Sequence, residues 1–203
     1  MNAKKNATIA LCLTALLAFS PLAGFAQAAT TYSGDATALQ ASAVGISLAL
    51  SHAGPLPSSG GNLSTSVASV NVAGLASASA LKSTTSGSGT SSQSQSHAAN
   101  VSLLGSLVSA AVVKSNSSAT CNGSTASTSG DSQIANLVVA GQSIVVSNPN
   151  LVISLPGGIS VIVNEQTSSS GGNAGSITVN ALHVTAPGVD IIVASSHSDI
   201  TCA

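Results

Sequence analysis

The chain has 203 residues, of which 4% are charged and 1% aromatic, with a formal net charge of −1. Ordinary domains are about a quarter charged, so both the surface and the core must be made of unusual material. Four lysines and no arginine leave no basic patch for a phosphate backbone, which excludes nucleic-acid binding, and the weak net charge offers little steering of any partner.

The first segment reads as an export leader. Lys4 and Lys5 supply a positive start, Ala7 to Phe19 is mostly apolar, Pro21 and Gly24 break the run, and Ala26-Gln27-Ala28 is a small-x-small cleavage pattern. Cleavage is expected after Ala28, with Ala29 as the alternative. The apolar run is shorter than the roughly 20 residues a spanning helix needs, and nothing later reads as a transmembrane segment. Cys12 lies too early in that run for lipidation. The mature chain of about 175 residues suits one domain with a sizeable core.

Beyond the leader the chain holds two lysines (Lys82 and Lys114) against five carboxylates (Asp35, Asp131, Glu165, Asp190 and Asp199), a net charge of −3, and Tyr32 is its only aromatic residue. The core must come from Val, Ile, Leu and Ala. Cys121 and Cys202 are the remaining cysteines, and an even count in an exported chain predicts a disulfide between them. Neither has a second Cys or His close by, which argues against a metal site there.

In chain order, Val44, Ile46, Leu48 and Leu50 alternate as in a strand with one buried face. An Ala-rich helix over Ala36–Leu50 competes, and Gly45 with its β-branched neighbours favours the strand. His52 to Gly61 is a turn-rich loop. Leu63–Leu81 continues as strand with a break at Gly74. Ser83–Ser96 is low-complexity and polar, which predicts a flexible loop, with a repetitive outward-facing strand as the alternative. Leu75, Ser77, Ala78, Leu81, Lys82 and Ser83 recur 32 residues later as Leu107, Ser109, Ala110, Val113, Lys114 and Ser115, the mark of a repeated strand pair. Ser115–Ser132 reads as a second polar loop.

Ile134 to Gln166 then carries the clearest pattern. Four β-branched runs, Ile134–Ala140, Ser143–Ser147, Leu151–Leu155 and Ile159–Asn164, are separated by Gly141-Gln142, Asn148-Pro149-Asn150 and Pro156-Gly157-Gly158. Helices do not fit between those breakers. A last hairpin runs through Ser176–Thr185, turns at Ala186-Pro187-Gly188 and returns through Asp190–Ala194. Ten or so strands in series predict an all-β fold, an antiparallel β-sandwich or flattened barrel, with a β-solenoid as the alternative. An outer-membrane barrel would want aromatic girdles that this chain lacks.

Several fragments, in the same order along nearly the whole mature chain, resemble the choice-of-anchor P group of bacterial exported proteins. They are Tyr32-Ser33-Gly34-Asp35-Ala36, Gly54-Pro55-Leu56-Pro57 with Gly60-Gly61, Ile134-Ala135-Asn136-Leu137 with Gly141-Gln142, Asn164-Glu165-Gln166, Asn180-Ala181-Leu182-His183-Val184, and His197 to Cys202. The resemblance implies an extracytoplasmic domain, often followed in relatives by a C-terminal surface anchor, and implies no catalytic residues. Here the sequence ends at Ala203 without one, which implies a released or periplasmic form.

Individual chemical motifs read as structural. Gly130-Asp131-Ser132 resembles the nucleophile block of GDS-type esterases, but that chemistry needs a strand-to-helix turn in an α/β domain and a positioned His. Gly171-Gly172-Asn173-Ala174-Gly175 begins like a calcium-binding turn and lacks the Asp ligand. His183, His197, Asp190 and Asp199 cluster near the last hairpin. If Ala186 pairs with Val189, His183 faces Ile192 and His197 faces Thr178, on opposite faces by simple alternation, so these histidines are expected to hydrogen-bond to neighbouring loops. Glu165 is expected to cap a turn. No catalytic group, metal or cofactor is expected. The functional expectation is an exported structural or adhesive module with surface or extracellular-matrix contacts. The alternatives are a sugar- or ice-binding β-domain, short of aromatic platforms and of a regular Thr ladder, and, further off, a hydrolase.

Overall fold

The computed structural model describes residues 29–146 and 148–203. The predicted leader, including its cleavage point at Ala28, lies outside them. The described chain is all β. Its strands are β1 (Thr31–Ala43), β2 (Ile46–Ala53), β3 (Gly61–Val72), β4 (Ala76–Ser88), β5 (Ser91–Leu103), β6 (Val108–Asn122), β7 (Thr125–Ala135), β8 (Val138–Val139), β9 (Gln142–Ser143), β10 (Leu151–Leu155), β11 (Ile159–Gly171), β12 (Ala174–Ala186) and β13 (Val189–Thr201). Among the described residues no helix is long and apolar enough to cross a membrane.

Two antiparallel sheets form the expected sandwich and do not close into a barrel. One has the order β10-β11-β12-β13-β1-β2, the other β3-β4-β5-β6-β8-β9 with β7 also paired to β6. The last hairpin has the expected register: Ala186 pairs with Val189, His183 with Ile192 and Thr178 with His197.

Three expectations are corrected. The stretches Ser83–Ser96 and Ser115–Ser132 are not loops: they form the facing ends of β4 and β5 and of β6 and β7 and pair residue for residue. Val44 is not a core residue: it sits in the β1–β2 turn at 92% exposure, and only Leu48 and Leu50 of that run pack on the core. Of the described residues of Ser143–Ser147 only Ser143 joins a strand, with Gln142 in β9, and the strong Ile134–Gln166 block forms the end of β7, the short strands β8, β9 and β10, and the first part of β11.

The polar strands hold because the two sheets come unusually close. Cα atoms of β1 approach those of β4 and β5 within 8 Å, as β13 does β5 and β6, and β12 does β6 and β7. Ordinary stacked sheets lie about 10 Å apart. Most inward side chains in this half of the sandwich are therefore small, with Ile177, Val179 and Ile200 of the six-stranded sheet as the larger ones. Thr85, Ser92, Ser94, Ser117 and Ser198 are buried, and their hydroxyls are paired. Thr85 Oγ1 lies 2.7 Å from Ser94 Oγ, Ser92 Oγ donates to Ser33 O at 3.0 Å, and Ser198 Oγ donates to Ser117 O across the sandwich at 3.1 Å. A buried hydroxyl without a partner would cost about 1–3 kcal/mol. Gly34 belongs to the same logic, since a Cβ there would stand 2.7 Å from Thr85 Oγ1.

The other half of the sandwich is conventional. Leu39, Leu81, Leu103, Val108, Val113, Leu182, Ile191 and Val193 fill it. Between the halves the inward face changes parity on strands of both sheets. Inward positions run 92, 94, 96, 98 and then 101, 103 on β5, and 175, 177, 179, 181 and then 182, 184 on β12. Non-glycine residues with positive φ mark the change in both sheets: Ser51 (53°), Asn164 (53°) and Ala194 (55°) in one, Ala80 (48°), Asn100 (50°) and Asn136 (55°) in the other. An extra residue on a strand resets the alternation and bends it. Lined up across both sheets, these residues form a belt that divides a serine-filled half from an aliphatic half.

The Cys121–Cys202 disulfide, with Cα atoms 5.6 Å apart, ties the end of β6 in one sheet to the chain after β13 in the other. Cys202, Ala119, Ala126 and Ile200 make a small buried cluster there, with Tyr32 packed against it.

Candidate functional site

The belt gathers a polar chain on the outer face of the six-stranded sheet. By plain alternation Asn180 and His183 would face opposite ways. The reset between Ala181 and Leu182 turns both outward, and Asn164 and Ala194 do the same for Glu165 on β11 and Ser195 on β13. His183 Nδ1 lies 3.0 Å from Glu165 Oε2 and its Nε2 lies 3.1 Å from Asp190 Oδ2. Asn180 Nδ2 also donates to Glu165 Oε2 at 2.7 Å, and Ser195 Oγ donates to Asn180 Oδ1 at 2.7 Å.

An imidazole flanked by a carboxylate at each nitrogen makes both hydrogen bonds only when both nitrogens carry a proton. Partial burial of the ring opposes its charge, but the hydrogen bonds and charges of Asp190 and Glu165 outweigh it, and the His183 pKa is raised above 6.5. The arrangement can hold a proton. It leaves neither ring nitrogen free for a substrate.

The remaining singled-out residues fall elsewhere. His197, expected on the opposite face from His183, lies on the same outer face, because the belt changes the parity between them. Its Nδ1 is 3.0 Å from Thr178 Oγ1, and His52 Nδ1 is 2.8 Å from Thr37 Oγ1, so both bond to neighbouring strands rather than to loops. Asp199 pairs in register with Ser33 and Ser176, away from Asp190. Glu165 caps no turn. The neighbouring backbone is tied instead by Asn150, in the loop before β10, whose Oδ1 accepts from Gln166 N of β11 at 2.8 Å. Among the described residues no group of three His, Cys, Asp or Glu could hold a metal ion.

In Gly130-Asp131-Ser132 the Asp faces outward, where Asn116 Nδ2 donates to Asp131 Oδ2 at 3.1 Å, while Ser132 Oγ is buried without a hydrogen-bond partner. The Gly is required by packing, since a methyl group there would overlap Val179 Cγ2. Gly172-Asn173 is the β11–β12 turn, and it holds the C-terminus: Cys202 N donates to Asn173 O at 2.7 Å.

The outer face of the other sheet carries the arrangement that element-by-element reading missed. Cross-strand partners there line up in rows over β3 to β7. One row is Asn62, Ser86, Gln93, Ser118 and Ser129; the next is Ser64, Thr84, Gln95, Asn116 and Asp131; the third is Ser66, Lys82, His97, Lys114 and Gln133. The third row runs beside the belt, where a groove of about 310 Å³ is lined by Lys82, Thr84, Gln95, His97, Lys114 and Asn116. His97 Nδ1 donates to Ala80 O at 3.0 Å, the carbonyl of a belt residue, which fixes the ring and points Nε2 away from that bond. The 32-residue echo was the signal for this site. It corresponds to β4 and β6, which run in the same direction on either side of β5 and so bring Lys82 and Lys114 to either side of His97.

Compared with family models, curated proteins and solved structures, the chain matches none.

Proposed function

We propose that this chain is an exported, non-enzymatic structural or adhesive module of the cell envelope or extracellular matrix, acting through the outer face of the β3–β7 sheet. One observation carries the reading: the register-aligned rows of Ser, Thr, Asn and Gln across five strands. Such a face offers hydroxyl and amide donors and acceptors at the strand spacing of about 4.8 Å, and its serines and threonines lose less rotamer entropy than long side chains when a partner orders them. The leader-like first 28 residues and the resemblance to the choice-of-anchor P group support export.

The test is retention of purified mature chain on envelope material from a bacterial producer. Wild type is expected to sediment with it. Ser118→Leu, in the first of these rows, should reduce retention several-fold at unchanged melting temperature, and Ser118→Thr, which keeps the hydroxyl, should retain it. Wild type left wholly in the supernatant, or Ser118→Leu bound as well as wild type, overturns the reading.

A further inference from the structure

We propose that the groove along Lys82, His97 and Lys114 binds an extended polyanionic polysaccharide, carboxylated or sulfated. The inference rests on the adhesive reading and names the partner class of the same face. Lys82 and Lys114 are the only lysines of the described chain and it has no arginine. Both are exposed, and among the described residues neither enters a salt bridge. Their strands flank β5, so the two ammonium groups spring from backbones about 10 Å apart. To share one small anion the two flexible lysine stems must both fold over His97, whereas a chain with repeated acidic groups meets each ammonium group where it stands. The groove continues towards β3 as a largely apolar depression of about 450 Å³, where Val67, Ala68, Ala80 and Leu81 join Lys82 and His97. Together they cross four strands, about 14 Å, which accommodates several linked sugars. Thr84, Gln95 and Asn116 supply hydrogen bonds for sugar hydroxyls.

Charge complementarity selects the ligand and the side it binds. The opposite outer face carries Asp35, Glu165, Asp190 and Asp199 and no lysine, so a polyanion is repelled there. The one carboxylate on the groove's own face, Asp131, lies on β7 and accepts from Asn116 Nδ2. Single-stranded nucleic acids and neutral sugars both lean on aromatic stacking. The only aromatic side chain here, Tyr32, bonds through its hydroxyl to Gly89 O, in the β4–β5 turn, several rows away from Lys82.

Affinity gel electrophoresis with polygalacturonate, dextran sulfate or neutral dextran in the gel tests the proposal. Wild type should be retarded at low salt by one or both polyanions and not by dextran, with retardation fading as salt rises. Retardation by one polyanion alone assigns carboxylate or sulfate as the preferred group. The double variant Lys82→Gln/Lys114→Gln should lose roughly tenfold in affinity with its melting temperature unchanged. Glu165→Gln on the opposite face should bind as wild type does. No retardation by either polyanion, or equal retardation of the double variant, overturns the site. Self-association that both Glu165→Gln and the lysine variant abolish, without polysaccharide binding, also overturns it and assigns the groove to a second copy. Ser118-dependent envelope retention without polyanion binding refutes this inference alone; polyanion binding without envelope retention refutes the adhesive reading alone.

Discussion

Gly130 of β7 faces Val179 of β12 across the sandwich with no room between them for a methyl group. A Cβ on Gly130 would overlap Val179 Cγ2 and stand 2.8 Å from Ile177 Cδ1. Gly130→Ala should therefore overpack the interface and cost about 1–3 kcal/mol, some 2–4 °C of melting temperature per kcal/mol for a domain of this size. Two residues on, Ser132 Oγ is buried without a partner, so Ser132→Ala should be neutral or slightly stabilising. Thermal melts of the two variants check the pair. An unchanged melting temperature in Gly130→Ala contradicts the close packing.

His183 links stability to pH. Its folded-state pKa lies above 6.5 because Asp190 and Glu165 outweigh the burial of the ring. A raised pKa means a stabilising contribution that is complete below 6.5 and lost as pH climbs through the folded-state value. The stability difference between wild type and His183→Gln should therefore shrink as pH rises across that window. Taking the difference cancels the other histidines. Denaturant titrations at a series of pH values measure it, and a difference independent of pH contradicts the bridged imidazolium.

The belt makes a prediction of opposite sign to the usual one. Ala80 is exposed with φ of 48°, a conformation that costs an L-residue about 1–2 kcal/mol. Glycine normally weakens a strand by losing more entropy on folding. At position 80 relief of the left-handed strain should offset that loss, so Ala80→Gly should hold or raise the melting temperature. Thr84→Gly, four residues along the same strand, should lower it. Equal losses in the two variants would argue against the positive φ at Ala80.

What could be read beforehand follows from which residues carry a directional signal. The Ala186-Pro187-Gly188 turn sets the register of its hairpin, and the pairing of His183 with Ile192 was legible from it. Serine carries no such signal. It is mostly exposed in folded proteins and is not among the strand-enriched residues, so Ser83–Ser96 and Ser115–Ser132 read as loops until the close approach of the sheets makes small inward hydroxyls the best filling. The belt was half legible. Asparagine tolerates positive φ, which gives Asn100, Asn136 and Asn164 a reason to sit where they do, whereas nothing about Ala80 or Ala194 announces it. That silence misplaced His197 relative to His183 and hid the Glu165–His183–Asp190 chain. The lysine pair was visible as an internal echo but had no meaning until the two copies proved to flank one strand.

The Cys121–Cys202 bond joins the two sheets where the interior offers least. The nearby buried cluster is small, holding Ala119, Ala126, Ile200 and Cys202, so few apolar contacts there resist opening. The bond spans 81 positions, and in the chain-entropy model closing such a loop contributes about 4 kcal/mol, less any native strain. Hydrogen bonds to Asn173 hold Cys202 on both sides, its N–H donating to Asn173 O and its carbonyl accepting from Asn173 Nδ2 at 3.3 Å. Two hydrogen bonds alone hold the segment after β13 less firmly than a covalent tie. Cys202→Ser should lower the melting temperature by several degrees and raise hydrogen exchange first at Ile200 and Thr201, before the Leu182–Val193 region of the same hairpin. Reductant should bring wild type down to the variant and leave the variant unchanged. Mass spectrometry of non-reduced protein should give a single linked pair of peptides holding Cys121 and Cys202. Two free thiols, or a variant as stable as wild type, would remove the cross-link from the account of how the sheets are held.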